Sequence, residues 1–317
     1  MRPSSSGYRN PLERSSLNPR LKRGAQQHSA PKASGPLSGN RTAVNPGGPT
    51  TYLGLVSVVL MDATAAYVAV RGSRIFYRTA GHGEPLLLLH GGFGTVEDFS
   101  LQIPELAKHF RVVAFERLGH GHTADNEESF SFLTMSEYTI DFIETLRLGP
   151  THLLGWSDGA AIALLVSISR PDLVRRLISV GGFFNTNSVS KKDQEWIKSA
   201  TPESFRKSQP SLVKRYDDSS PDGPAHFSVV FEKTKKLWLT EPDIKKEELA
   251  RIKTSTLLMV GDRDAITPEH TLELYRSIKH AQLCVIPDAT HGLLSEKPAI
   301  ANKVILEFLD ARPDPKK

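Results

Sequence analysis

The sequence feature that most constrains the fold is a serine flanked by two glycines, in the pentapeptide Gly-Trp-Ser-Asp-Gly at residues 155–159. The segment 151–156 is short and apolar, as in a buried parallel strand, and the segment 160–168 is apolar and rich in alanine, as in a helix. On a sharp turn from strand to helix, glycines two positions from the serine let both elements approach without side-chain clashes. The pattern therefore predicts a strand, a strained turn and a helix, with Ser157 as a nucleophile.

An acid and a histidine each follow a later apolar run. The run 256–260 leads into Gly-Asp-Arg-Asp at 261–264, and the run 283–286 leads into Pro-Asp-Ala-Thr-His-Gly at 287–292. The chain order of serine, acid and histidine, each placed after a strand, is the order of one hydrolase architecture.

On these residues the chain resembles the α/β-hydrolase superfamily over about residues 66–309. Two more segments support the resemblance, His-Gly-Gly-Phe-Gly at 90–94 and Glu-Arg-Leu-Gly-His-Gly-His-Thr at 116–123, each after a strand-like run. The pentapeptide 155–159 is most similar to that of valacyclovirase-like and meta-cleavage-hydrolase-like esterases. The resemblance implies the α/β-hydrolase fold: an α/β protein with a mostly parallel sheet, helices on both faces and a helical lid.

The resemblance also implies a catalytic triad. Ser157 attacks a carbonyl carbon, His291 takes and returns the proton, and Asp264 orients the imidazole. Asp262 competes with Asp264 for the acid, but the family pattern Gly-Asp-x-Asp favours the second position and leaves Asp262 as a turn residue.

Two backbone N–H groups are expected to form an oxyanion hole, by the same resemblance. They belong to Asp158, directly after the nucleophile, and to Gly92, with Phe93 as the adjacent possibility. His90 is interpreted as a structural residue that supports the oxyanion loop.

Aromatic residues are expected to form an apolar substrate pocket, with Phe93, Trp156 and Phe183 as the candidate substrate-binding side chains. Asp158 is a second candidate for specificity, since in valacyclovirase-like esterases an acid beside the nucleophile recognises a cationic amino group. The interpretation we favour for its side chain is exposure to solvent or capping of the following helix, where an acid is stabilised in any case.

His120, His122 and Glu116 are candidate ligands for a metal ion. Gly119 and Gly121 indicate a turn there and no third ligand is apparent, so we interpret these histidines as supporting or solvated residues. The sequence has no dinucleotide fingerprint and no phosphate loop. We predict neither a metal nor a cofactor.

Strands that alternate with helices predict a mostly parallel sheet covered on both faces. The runs 68–77 and 86–89 suggest a hairpin that turns at residues 80–83. A helix capped by Thr134 or Ser136 is expected before the nucleophile strand.

The predicted hydrolase core comprises residues 61–182 and 254–317. Between them, residues 183–253 are polar, rich in proline and contain several aromatic residues. Members of the family that the chain resembles have a helical lid in this interval. The aromatic residues that mark it are Trp196, Phe205, Tyr216, Phe227, Phe231 and Trp238.

Residues 1–60 are predicted to be a disordered basic extension. Residues 1–50 carry eight Arg and Lys against Glu13 alone, a net charge of +7, so the rest of the chain carries −2 of the total +5. Arginine-rich, acid-poor composition is also typical of a mitochondrial transit peptide, but the prolines interrupt an amphipathic helix. We favour a natural start at Met61 or a disordered extension over targeting.

The basic residues of the extension are scattered with few aromatic residues, so no nucleic-acid partner is predicted. The apolar stretch 52–61 is too short to span a bilayer, so no membrane partner is predicted. Cys284 is the only cysteine in the chain, which gives no reason to expect an oxidising compartment. Cytoplasmic localisation is the expectation.

Taken together, the residues predict a serine hydrolase that cleaves a small or medium carboxylic ester or lactone through an acyl-enzyme. The same triad also supports carbon–carbon bond hydrolysis or cofactor-free perhydrolysis, and a non-enzymatic ligand-binding relative remains an alternative. The sequence leaves the oligomeric state open.

Overall fold

Eight strands form a mixed sheet in the computed structural model, which describes residues 64–310. The sheet order is β1-β2-β4-β3-β5-β6-β7-β8. β2 is antiparallel to both β1 and β4, and all the other neighbouring strands are parallel. The strand bounds are β1 Thr64–Val70, β2 Ser73–Ala80, β3 Pro85–Leu89, β4 Arg111–Phe115, β5 Thr151–Trp156, β6 Val174–Val180, β7 Thr256–Gly261 and β8 Ala281–Ile286.

The predicted hairpin between the runs 68–77 and 86–89 is wrong. β2 instead turns back on β1 through Arg71 and Gly72, both at positive φ, the combination that a two-residue hairpin turn of type I′ requires. β3 lies between β4 and β5 and is parallel to both. The physical reason is burial: residues 86–89 are buried on both faces of the sheet, which suits a central parallel strand better than a hairpin arm.

Helices cover both faces of the sheet, and side chains that alternate along each strand pack into two separate cores. Helices α2, α3, α8 and α9 contribute to one core, and α1, α10 and α11 to the other. The helix bounds are α1 Ile103–Leu106, α2 Phe132–Thr145, α3 Asp158–Ser169, α4 Lys191–Ser199, α5 Pro202–Ser208, α6 Pro210–Ser219, α7 Phe227–Thr240, α8 Lys246–Leu249, α9 Pro268–Ser277, α10 Leu293–Glu296 and α11 Pro298–Asp310.

Helix α2 begins at Phe132, earlier than the caps predicted at Thr134 and Ser136. The backbone N–H of Phe132 donates to Oε2 of Glu241 over 2.8 Å, and the Ser131 hydroxyl donates to the same oxygen over 3.2 Å. A carboxylate from far along the chain therefore accepts a free backbone N–H at the start of this helix, where a local capping side chain would otherwise do so.

Helices α4 to α7, which we call the helical insertion, lie between β6 and β7 and share an aromatic-rich core with Phe93. At the ends of the interval 183–253, the side chains of Phe184, Leu249 and Ile252 pack into the core of the sheet instead. Of the helices in residues 64–310, none combines the length and the apolar character needed to cross a membrane. The predicted extension 1–60 lies outside the described residues.

Candidate active site

Ser157 lies on the sharp turn between β5 and α3, with φ 55° and ψ −119°, a conformation that side-chain-bearing residues rarely adopt. A Cβ on Gly155 would lie 2.2 Å from the carbonyl oxygen of Gly159, and a Cβ on Gly159 would lie 2.0 Å from that of Leu89. Neither distance is possible without moving backbone. The turn therefore requires both glycines of the pentapeptide.

Asp264 follows β7 and His291 follows β8, and the two side chains are hydrogen-bonded. Nδ1 of His291 donates to Oδ1 of Asp264 over 2.8 Å, and the same oxygen accepts the backbone N–H of Ile266 over 2.9 Å. Burial lowers the pKa of His291, but the charge of Asp264 and its hydrogen bond outweigh this effect, so that the pKa is raised above its ordinary value. The pair has the geometry of a base with its orienting acid.

The loop that carries His291 is fixed by neighbouring side chains. The indole N–H of Trp156 donates to the carbonyl oxygen of His291 over 2.9 Å, and Glu296 accepts both the backbone N–H and the hydroxyl of Thr290 over 2.7 Å. Asp262, the competing acid, accepts the backbone N–H of Ala289 over 3.1 Å, which suits its predicted place in a turn.

Residues 90–94, the oxyanion loop predicted from the sequence, follow β3 and lie against the turn at Ser157. A Cβ on Gly91 would lie 3.2 Å from Cβ of Ser157, and a Cβ on Gly92 would lie 2.8 Å from Oδ2 of Asp158. Asp158 is the first residue of α3, where backbone N–H groups have no partner within the helix. Gly92 and Asp158, the predicted donors, both line the cavity that Ser157 lines.

The side chain of Asp158 is buried, so the interpretation that it faces solvent or caps the helix is wrong. Its Oδ1 accepts the indole N–H of Trp238 over 3.0 Å, and its Oδ2 lies 3.8 Å from a guanidinium nitrogen of Arg117. Burial raises the pKa of Asp158, while the charge of Arg117 opposes the shift. The carboxylate lies in the interior because its partners are there: Trp238 of the helical insertion and Arg117 of the loop after β4.

A cavity of about 390 Å³ joins these groups. Ser157 and His291 line it together with Phe93, Trp156 and Phe183, the three predicted substrate-binding residues. The helical insertion adds further aromatic walls, namely Trp196, Phe205 and Trp238. The wall is thus largely apolar, with polar groups concentrated near the nucleophile turn and on the segments around α4.

The two histidines that are candidate metal ligands have other partners. Nδ1 of His122 is 3.0 Å from Oε2 of Glu116, whereas Nδ1 of His120 is 2.9 Å from the carbonyl oxygen of Leu118. Burial lowers the pKa of His120 to about 3, so it is neutral. Within residues 64–310, no group of three or more His, Cys, Asp or Glu side chains could hold a metal ion.

Arg117 is a site residue to which the sequence analysis assigned no role. It is 4% exposed, and its guanidinium donates to the carbonyl oxygens of His90 and Gly91 in the oxyanion loop. Within that loop, Nδ1 of His90 lies 2.8 Å from the carbonyl oxygen of Gly91. The only sequence signal for Arg117 was its place in the segment 116–123.

The strand order, the strained serine turn and the acid–histidine pair define an α/β hydrolase. Residues 86–302 match the alpha/beta hydrolase family, more than half of the chain, so the chain belongs to that family and is a hydrolase. The predictions of family, fold class and enzymatic character are confirmed.

Relatives and solved structures agree with this assignment. The chain is 26% identical over 285 residues to human serine hydrolase BPHL, covering 84% of this chain and 94% of that protein. It is 25% identical over 254 residues to (E)-2-((N-methylformamido)methylene)succinate hydrolase of Acinetobacter baylyi, covering 75% of this chain and 94% of that protein. A variant of the meta-cleavage product hydrolase from Pseudomonas fluorescens IP01 shares the fold, with TM-score 0.68, 23% identity, and coverage of 77% of this chain and 97% of that one.

Proposed function

We propose that this protein is a serine hydrolase that cleaves a small or medium carboxylic ester or lactone through an acyl-enzyme, with Ser157, His291 and Asp264 as its triad. The observation that supports this most strongly is the 2.8 Å hydrogen bond between His291 and Asp264, at the wall of the cavity that Ser157 also lines. Nδ1 of His291 is occupied by Asp264, which leaves Nε2 to accept the proton of the Ser157 hydroxyl.

In this mechanism Oγ of Ser157 adds to the carbonyl carbon as His291 takes its proton. The carbonyl oxygen becomes an oxyanion that accepts hydrogen bonds from the backbone N–H groups of Gly92 and Asp158. The intermediate collapses, the C–O bond to the alcohol breaks, and His291 returns the proton to the leaving oxygen. Water then attacks the acyl-enzyme, with His291 as the base, to release the acid and restore Ser157.

The lining of the cavity favours an uncharged acyl group. Among the described residues that line it, Lys198 is the one Lys or Arg, and its ammonium is paired with Glu195 at 2.7 Å and is about half exposed. A dicarboxylate, such as the succinate in the name of the Acinetobacter relative, loses its hydration when it is buried. The described part of the cavity lining offers no buried cation that would compensate for this loss. A neutral ester or lactone needs none.

The test is labelling with a fluorophosphonate probe and location of the adduct by mass spectrometry, together with turnover of p-nitrophenyl esters from acetate to octanoate. We expect the adduct on Ser157, and we expect Ser157→Ala to lower kcat by at least about 10³-fold. Ser100→Ala, a change at an exposed serine outside the cavity, is the control and should keep both properties.

Other outcomes would assign another function. A folded protein that neither labels nor turns over esters would be a ligand-binding relative. Labelling of Ser157 without hydrolysis of any ester or lactone would instead favour carbon–carbon bond hydrolysis by the same triad.

A further inference from the structure

The peptide unit between Gly91 and Gly92 is held at its carbonyl end by three donors. The carbonyl oxygen of Gly91 accepts from the backbone N–H of Gly94 over 3.1 Å, from Nδ1 of His90 over 2.8 Å and from a terminal nitrogen of Arg117 over 2.9 Å. The N–H of the same planar unit is that of Gly92, the oxyanion donor of the proposed function. Because a peptide unit is planar, fixing its carbonyl also fixes the direction of its N–H.

The protonation state of His90 is consistent with this arrangement. A carbonyl oxygen can only accept, so Nδ1 of His90 carries the proton, and its Nε2 is free to accept the backbone N–H of Arg117 over 3.2 Å. Burial, followed by the charge of Arg117, holds the pKa of His90 well below its ordinary value. The ring is therefore neutral in one tautomer, and the guanidinium is the charged donor on this peptide unit.

Arg117 carries its charge in a buried position. Burial lowers its pKa to about 10, while the charges of Asp158 and Asp98 oppose the shift, so the guanidinium is protonated at neutral pH. Its two terminal nitrogens donate to the carbonyls of His90 and Gly91, on adjacent residues of the oxyanion loop. A planar fork fits two neighbouring acceptors, which a lysine ammonium cannot match.

We propose that Arg117 is a positioning residue for the oxyanion hole, where its guanidinium orients and polarises the peptide unit whose N–H, on Gly92, meets the developing oxyanion. The inference rests on the proposed function, since an oxyanion forms only if Ser157 adds to a carbonyl. A cation on the carbonyl end strengthens the N–H as a donor, because hydrogen bonds in a chain polarise one another. The effect appears in the transition state, so it acts on kcat more than on KM.

The direct test is Arg117→Lys, which keeps a buried cation near Asp158 but loses the fork. We expect kcat for p-nitrophenyl butyrate to fall about 10- to 100-fold, below the loss of a whole oxyanion donor, with KM within about twofold. The rate of inactivation by the fluorophosphonate should fall in parallel, since that adduct also places an oxygen in the hole. Arg175→Lys is the matched control, because Arg175 donates to the carbonyl of Pro150 away from the cavity, and it should change neither rate.

Variants made in a protein that also carries Asp158→Asn distinguish two roles of Arg117: positioning of the oxyanion loop, and mere neutralisation of the Asp158 charge. Arg117→Lys and Arg117→Gln are each combined with Asp158→Asn and compared with Asp158→Asn alone. We expect the same fold-loss of kcat in both backgrounds. Within each background, substitution of Arg117 should leave the acid limb of the kcat/KM profile in place, because that limb reports His291, whose pKa depends on the charge of Asp158. Circular dichroism and thermal melting identify the variants that are folded, and Arg117→Lys suffices where Arg117→Gln does not fold.

Two results would overturn the inference: Arg117→Lys with kcat and labelling rate within twofold of the wild type, or a loss that disappears in the Asp158→Asn background. Failure of the proposed function has a different signature. In that case the wild-type protein itself would carry no adduct on Ser157 and would hydrolyse no ester.

Discussion

The indole N–H of Trp238 donates a 3.0 Å hydrogen bond to Oδ1 of Asp158, the residue directly after Ser157. This contact links α7 of the helical insertion to the start of α3. Asp158 also lies 3.8 Å from Arg117, so its buried carboxylate already has a donor and a counter-charge. A ligand ammonium at Asp158 would have to compete with both groups.

We therefore expect little preference for amino-acid esters. The ratio of kcat/KM for the p-nitrophenyl esters of phenylalanine and 3-phenylpropanoic acid, corrected for their intrinsic reactivity, should be within about threefold of unity. Asp158→Asn should leave this ratio unchanged, since Asn retains an acceptor for Trp238. A preference above tenfold that Asp158→Asn removes would instead identify Asp158 as an amine site, because each tenfold corresponds to about 1.4 kcal/mol.

The raised pKa of His291 predicts the pH dependence of ester hydrolysis. In the proposed mechanism neutral imidazole is the base, so activity is lost as the pH falls through the pKa of His291. A raised pKa puts this acid limb above the ordinary value of about 6.5. Asp264→Asn removes the charge that raises the pKa, so the limb should move to lower pH, and kcat should fall about 10⁴-fold. The measurement is the profile of kcat/KM between pH 5 and about pH 9. An acid limb that stayed in place in Asp264→Asn would contradict the assignment.

Gly181 should be required for the position of His291, the proposed general base. Its φ is +55°, and a Cβ there would lie 2.9 Å from Cε1 and Nδ1 of His291. Gly181→Ala should lower the free energy of unfolding by about 1–2 kcal/mol through backbone strain and should also reduce kcat by displacing the imidazole. Gly72→Ala is the matched control, because φ is +81° and no atom lies within 4 Å of its Cβ position. Urea unfolding and ester turnover of both variants check this, and equal kcat values for the two would refute it.

Asp125 should anchor the helical insertion to the core of the protein. Its buried carboxylate accepts from Nζ of Lys233 and from Nε2 of His226, each over 2.8 Å. Asp125→Ala leaves Lys233 without this partner and should lower the free energy of unfolding by about 3 kcal/mol. It should also increase limited proteolysis between α4 and α7.

The control for the anchor is Asp218→Ala in the same insertion. Asp218 pairs with Lys214 at 2.8 Å, but both side chains are largely exposed, so the cost should be below about 1 kcal/mol. Similar losses in the two variants would show that Asp125 is no anchor.

Local patterns predicted the strands that carry the site more accurately than the pairing of the strands. The predicted run 151–156 coincides with β5, and 256–260 lies within β7, because apolar character and flanking glycines are properties of the segment itself. The pairing of β2 with β1 and β4 depends on which strands are buried on both faces, and the predicted pairing, a hairpin with residues 86–89, was wrong. The start of α2 likewise depends on Glu241, whose carboxylate reaches it from 109 residues away.

The sequence alone determined the α/β-hydrolase family, the strained turn at Ser157 and the chain order in which an acid and a histidine follow it, since these depend on residue type and local spacing. Tertiary structure decided the direction of the Asp158 carboxylate and the contact of Arg117 with the oxyanion loop. The partners of these groups are Trp238, 80 residues from Asp158, and Gly91, 26 residues from Arg117. The stability of a buried charge depends on the donors and counter-charges that folding brings around it, and no local pattern encodes them.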